Sequence, residues 1–424
     1  ISTLNGTHAY IFDYLLEEIL RQLSPDLRRF LLYSSVVDQL NAGLCDALLA
    51  GEMDSSPALS SAAILKELEQ ANLFISPLDH ERRWYRYHHL FADLLKLTLD
   101  QHHPGISNEL HQRASRWYEK QGMLPAALKH AIASGNMERV AKIISANVLI
   151  LVENNEIAPT LRKLEAMPSE QRASLPWLEV AHAWALAYTG QIERAEAALS
   201  HAEQLQDKLP QDERSHLLGH IGVVRAYNAW VNGKQQQAVE FAMDAALLLP
   251  KEEYAVRALN VTTLGNAFTQ YEAEPRAVEV LEHALALARQ ARQSHVFMPA
   301  ATALAYAYYR LGKFHQAHAI CLEAIELAEA YQRQGGQPLP AAASAYAELA
   351  IVLSEWGKIE DSIQVARKGL ALSELWGQAD TIMLCLLALF TGLSLANETD
   401  AARMVLQRAR KIAQGVSPWF VQIV

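Results

Sequence analysis

Two rhythms of apolar and polar residues divide the chain. YLLEEILRQL (Tyr14–Leu23) and PDLRRFLLYSSVV carry apolar residues at three- and four-residue spacing, the mark of helices with one buried face. Ser24-Pro25-Asp26 opens the second of them with an N-cap residue and a proline at the first helical position. ILKELEQ predicts a third helix. The pattern then becomes alternating: ANLFISPLD and RRWYRYHHL switch between apolar and polar on either side of Asp79-His80-Glu81, which predicts a hairpin. After Leu95 strand signals almost vanish, and helical stretches follow one another between short turns.

Helix, helix, helix, hairpin is a winged-helix order. In the remainder a Gly followed five residues later by a small residue recurs at Gly190/Ala195, Gly233/Ala238, Gly312/Ala317 and Gly357/Ser362. Degenerate copies fall at Glu272/Ala277 and Asn397/Ala402, so the turns repeat roughly every 40 residues, as in tetratricopeptide-like helix pairs with stretched linkers. Small residues let the two helices of a pair approach closely, since a larger side chain overpacks the seam. Shorter hairpins with the same spacing start at Gly122 and Gly135. The chain therefore reads as mostly α: a winged helix over residues 1–105, a helical connector over 106–174, and an α-α superhelix of tetratricopeptide-like repeats over 175–424.

Composition narrows the function. The 424 residues are 51% hydrophobic and 20% charged, with a net charge of −10. Between Ile1 and Asp100 eight Lys and Arg face fourteen Asp and Glu, which argues against a general phosphate-binding surface. The longest apolar run, IMLCLLALF, is far short of the roughly 20 residues that span a bilayer, so the expectation is a cytoplasmic protein with no membrane contact. Cys45, Cys321 and Cys385 lie in apolar helical patterns and read as buried thiols in a reducing compartment. Zinc spacing is absent and no metal is expected. No GxSxG or nucleophile motif is present, so no catalytic residue is assigned and the chain is not expected to be an enzyme. The start at Ile1 suggests a piece of a longer protein.

LRRFLLYSSVV, LKELEQANLFISPLD, WYRYHHLFADLL and LHQRASRWYEKQGMLPAALKHAIASGN together resemble the segment that follows the ATPase core in MalT-like regulators, the large ATP-binding LuxR-type proteins among the STAND signalling ATPases. The resemblance is specific from Tyr10 to about Ile144 and looser through the repeats. It implies four parts in the full-length protein: a nucleotide-binding core, a winged helix, a superhelix that senses an inducer, and an output module. Only the middle two fall in this chain, which lacks GxxxxGK[ST]. No cofactor is therefore expected here, while ATP or ADP with Mg is implied for the full-length protein. DNA contact is implied only through an output domain, and activation is implied to bring oligomerisation.

The same resemblance assigns His88, in the frame Tyr87 to Phe91, to the phosphate of ADP held in the family's resting state. The alternative is that His88 caps the following helix or satisfies a buried carbonyl. His80, His89, His102, His103 and His111 are expected to be surface or packed imidazoles. Trp84, Tyr85 and Tyr87 are expected to form a core-facing stripe, and Arg82, Arg83 and Arg86 to face the ATPase core or the acidic repeats. In the superhelix the first helix of each pair lines the concave side. That frame places Trp184, Tyr188, Tyr227, Trp230, Asn266, Tyr306, Tyr309 and Arg310 near a groove suited to a small-molecule inducer, a peptide or a protein partner. The competing reading of the chain is a constitutive peptide-binding scaffold without switching.

Overall fold

The computed structural model describes residues 23–50, 60–71, 74–153, 156–172, 174–270, 274–333 and 337–413. It has two compact units, Ile1–Ile143 and Ile144–Val424. Of the expected first helix, Tyr14–Leu23, all but Leu23 lies outside the described residues, as does the turn position Glu272.

In the first unit the chain forms α1 (Pro25–Ser34), α2 (Ala42–Leu49), α3 (Ser61–Gln70), β1 (Ile75–Pro77), β2 (Tyr85–Tyr87), α4 (His89–His102), α5 (Ile106–Lys120) and α6 (Leu124–Ala133). Ser24 caps α1 as expected, its Oγ accepting the Leu27 amide at 3.3 Å. The helix stops at Ser34, earlier than its apolar pattern suggests. Ser34 and Ser35 turn their hydroxyls back onto the carbonyls of Phe30 and Leu32, at 2.6 and 2.7 Å, a competition that weakens helix continuation. Helix α2, capped by Asn41, takes the middle place among three described helices before the hairpin. Cys45 sits on its buried face.

The hairpin is antiparallel, with Ile75 opposite Tyr87 and Pro77 opposite Tyr85. Leu40 exchanges both backbone hydrogen bonds with Tyr85, at 2.8 Å each, and so adds a third short rung to the wing. Both Asp79 carboxylate oxygens accept amides of the turn, from Arg83 at 2.9 Å and Trp84 at 3.0 Å. This longer turn runs through Arg82, whose φ is 54°.

The second unit is built from antiparallel pairs. Before them come α7 (Met137–Glu153, whose first residues belong to the first unit), α8 (Ile157–Glu165) and a short α9 (Ser169–Arg172), and then six regular pairs follow. The pairs are α10–α11 (Pro176–Tyr188, Ile192–Gln204), α12–α13 (Gln211–Val231, Gln235–Leu248), α14–α15 (Tyr254–Gln270, Glu274–Ala291), α16–α17 (Ser294–Arg310, Phe314–Arg333), α18–α19 (Ala343–Glu355, Ile359–Trp376) and α20–α21 (Ala379–Leu395, Thr399–Ala413). The turn glycines 190, 233, 312 and 357 all have φ between 69° and 76°, and Asn397 follows at 58°. These are left-handed turns that a residue with a Cβ resists. The small residues five positions later, from Ala195 to Ala402, are all buried. At Ser362 the hydroxyl is used rather than tolerated: it donates to the Ala350 carbonyl and meets the Ser354 hydroxyl, both at 2.8 Å.

Close approach is tightest at Gly265 on α14. A Cβ there would stand 2.4 Å from both Cγ and Cδ2 of Leu281 on α15, and Leu281 is itself fully buried. Gly265→Ala is expected to destabilise the chain by about 1–3 kcal/mol and lower its thermal midpoint. The cost of Leu281→Ala should be smaller in the Gly265→Ala background than alone, because the clash is then relieved; additive effects in unfolding experiments on the four proteins would rule this out.

Candidate functional site

His88 ends the wing. It is the N-cap residue of α4, with its own amide bonded to the Phe74 carbonyl at 2.7 Å. Its imidazole makes no capping hydrogen bond; it is exposed and lies against the His89 ring at a centroid distance of 4.4 Å. The two rings share one cleft, of about 570 Å³, with Arg86, Lys96, Asp38 and Asp93. His88 and His89 therefore do not sit on opposite faces of a strand, as simple alternation suggests, because the strand ends at Tyr87 and the helix starts between them. Of the aromatics, Tyr85 and Tyr87 are the core-facing pair, and the Tyr87 hydroxyl meets Ser34 Oγ at 2.8 Å. Trp84 lies on the other face of the strand and packs edge-on against Trp117 at 6.2 Å, which corrects its place in the stripe. Arg82 and Arg83 are engaged locally, by Glu69 and Glu81 respectively. Arg86 is exposed on the cleft.

The cleft's chemistry follows from these groups. Asp38 is committed to an ion pair with Lys129, whose hydrogen bond pulls its carboxyl below the usual range. The nitrogen-bearing side chains of Arg86, His88, His89 and Lys96 remain as a set of donors around one concave surface, with the Asp93 carboxylate beside them. Such a set suits one end of a polyphosphate.

In the second unit the expected groove residues fall into two groups. Trp184 stacks on Tyr188 at 5.9 Å and 15°, Tyr188 meets Tyr227 at 4.7 Å, and Tyr227 meets Trp230 at 6.0 Å. The run steps from α10 to α12, the first helices of successive pairs. Trp184 is fully buried, so it supports the run from within, whereas Tyr188, Tyr227 and Trp230 are half-buried. The indole N–H groups of Trp184 and Trp230, and both amide atoms of buried Asn228 between them in sequence, lack hydrogen-bond partners. Burial raises the Tyr188 and Tyr227 phenols, and the Asp380 carboxylate raises Tyr227 further. Asp380 lies in the first turn of α20, four pairs along the chain from α12.

The second group lies on α16. Tyr309 donates to Glu355 on α18 at 3.1 Å, and burial followed by this carboxylate pushes its phenol up to about 12. Arg310 is exposed and donates to the Tyr306 hydroxyl at 3.4 Å; Tyr306 is half-buried, as is Asn266 on α14. The first group thus lies on α10 and α12 and the second on α14 and α16. Sequence reasoning missed Glu348, seven residues before Glu355 and on the same face of α18. It is 3% exposed, its Oε2 has no partner, and burial pushes its carboxyl up to about 8. A Glu inside AAASAYAELA is the signal that was available.

Comparison with known proteins agrees with this architecture. Residues 16–106 match the MalT winged helix domain and residues 219–423 match the MalT-like TPR region. The chain is MalT-like. The HTH-type transcriptional regulator MalT of Yersinia pestis is 27% identical over 98% of this chain and 44% of its own length. The serine/threonine-protein kinase PknK of Mycobacterium tuberculosis is 32% identical over 53% of this chain and 20% of its own length. The MalT-like chain therefore spans less than half of these curated relatives. A solved STAND protein with a tetratricopeptide repeat sensor from Pyrococcus horikoshii shares the fold, with a TM-score of 0.61 at 15% identity over 95% of this chain and 59% of that one. Among the described residues of the MalT-like chain no helix is long and apolar enough to cross a membrane.

Glu348 gives a pH prediction. Its folded-state value, about 8, lies above the ordinary 4.5, so its protonated form stabilises the fold fully below pH 4.5 and that contribution is lost progressively as pH rises from 4.5 through about 8. The slope it contributes is up to about 1.4 kcal/mol per pH unit within this window. Glu348→Gln should have a higher thermal midpoint than the unsubstituted chain at pH 8.5, with the gap shrinking by pH 5. A gap that does not change with pH would contradict the assignment.

Proposed function

We propose that this chain is the sensor and regulatory segment of a MalT-like STAND signalling ATPase and transcriptional regulator, in which the repeat unit binds an inducer or an inhibitory partner and the winged helix couples that event to the nucleotide state. The observation that carries the reading is the run Tyr188–Tyr227–Trp230, half-buried stacking faces beside buried indole and amide groups without partners. Native interiors seldom leave such groups unsatisfied, and stacking faces with directional donors suit a sugar, a nucleobase or a peptide. Tyr306, Tyr309 and Arg310 offer a second patch for a larger ligand.

ATP or ADP with Mg belongs to the full-length protein, whose phosphate loop would supply the charge neutralisation that phosphoryl transfer needs. Within this chain His88, with Arg86, His89 and Lys96 beside it, fits a phosphate of that nucleotide. An imidazole at this position is able to donate through either nitrogen and is not occupied by helix capping. The winged helix then stabilises the resting, ADP-bound state, and ligand in the repeats shifts the balance only by binding the active state more tightly. Affinity for ligand and nucleotide must therefore be reciprocally linked. A constitutive scaffold has no such linkage.

Two measurements test the reading. Thermal-shift screening of this chain against sugars, nucleotides and peptides is expected to yield a stabilising ligand, since binding to the folded state alone raises the midpoint. Tyr188→Ala and Trp230→Ala should each weaken that ligand at least tenfold, and unchanged affinity in both would remove the groove. In the full-length protein His88→Ala should weaken resting ADP binding and raise basal activity. No change in either would sink the wing-histidine role, and ligand affinity indifferent to ADP or ATP would favour the scaffold.

A further inference from the structure

The geometry points to a site for a divalent transition-metal ion of the zinc class in the repeat unit, formed by His216, His220 and Glu253. His216 and His220 are four residues apart on α12, so both imidazoles leave the same helical face. Glu253 is the last residue before α14 and reaches that face from the next helix pair. His216 Nε2 is 2.7 Å from Glu253 Oε1 and His220 Nε2 is 3.1 Å from Oε2, and one donor atom from each of the three residues lies within 4.8 Å of the others. No other group of three or more such side chains among the described residues meets this condition. A tetrahedral ion with donors at 2.0–2.2 Å separates them by about 3.4 Å, so closing on a metal asks for displacements of less than about 1 Å.

Two imidazoles and one carboxylate are a donor set that favours zinc and its neighbours over calcium or magnesium. Trp177 walls the site, with its ring 4.7 Å from His216 and 5.2 Å from His220. His220 is buried while His216 and Glu253 are half-exposed, which leaves one side open for entry and for a water as fourth ligand. Metal binding requires Nε2 of each neutral ring to be bare and the proton to move to Nδ1. For His220 that Nδ1 is buried without an acceptor, which places the affinity below that of a closed four-ligand structural site.

The consequence is mechanical. The site ties the start of α12 to the loop that begins α14, and the far end of α12 carries Tyr227 and Trp230. An ion here pins the helix that presents half of the aromatic run.

The test uses the whole chain stripped of metal with a chelator. Cobalt(II) is expected to bind at one equivalent with the visible absorption of a four-coordinate site, and zinc is expected to raise the thermal midpoint. His216→Ala and Glu253→Gln, the second nearly isosteric, should each weaken zinc at least about tenfold and abolish the midpoint shift. Each variant is compared with and without metal, so any loss of the His–Glu ion pairs cancels, and His283→Ala serves as a surface control that should respond like the unsubstituted chain. An equal zinc response in the unsubstituted chain, H216A and E253Q, or no stoichiometric uptake, overturns the site.

Discussion

Everything in the repeat unit depends on how closely the two helices of a pair can approach. A left-handed residue reverses the chain in two or three positions, and five residues later a side chain no larger than serine or alanine lies against the preceding helix. The two requirements act together. The turn fixes which face of the second helix meets the first, and the small residue sets the distance at which they meet. At Gly265 and Leu281 the margin is smaller than a methyl group, so the seam leaves no room for drift.

Tight pairing in turn determines what the inner helices have to do. Every residue of α10 from Pro176 to Ala187 is buried, so this helix is not amphipathic in the ordinary sense: one side meets its partner α11, another meets α12, and a third meets α8. The polar residues it carries are accordingly enclosed. Glu179 is held by Arg172 and His182, and its carboxyl is lowered by those charges despite the burial that opposes them. Asn228 and Glu348 have no such arrangement. An unpartnered amide or carboxyl costs stability unless something else satisfies it.

The repeats were legible from sequence because their determinants are local: five of the six turn positions recur as a left-handed residue, and the sixth lies outside the described residues. The wing was legible too, since alternation distinguishes Tyr85 and Tyr87 from Arg86. Its limits were missed where side chains compete with the backbone, as at Ser34 and Ser35, or where a strand ends within a pair of identical residues, as at His88 and His89. Site geometry was the least legible. Trp184 and Tyr188 look alike at helical spacing, and only the tertiary packing decides that one is a buried support and the other a surface. The His216–His220 spacing was visible, but its third member arrives from another helix pair.

This difference between local and assembled features separates the residues that set the fold from those that line the inner helices. The seam uses turn glycines and small residues, whereas Tyr227, Trp230, Tyr309 and Glu348 project from other faces of the same helices. The separation is incomplete at Trp230, which packs against Ala229, Ala238 and Ala267, so that substituting it disturbs the α12–α13 seam as well, although nearest-neighbour packing confines such a disturbance to adjacent pairs.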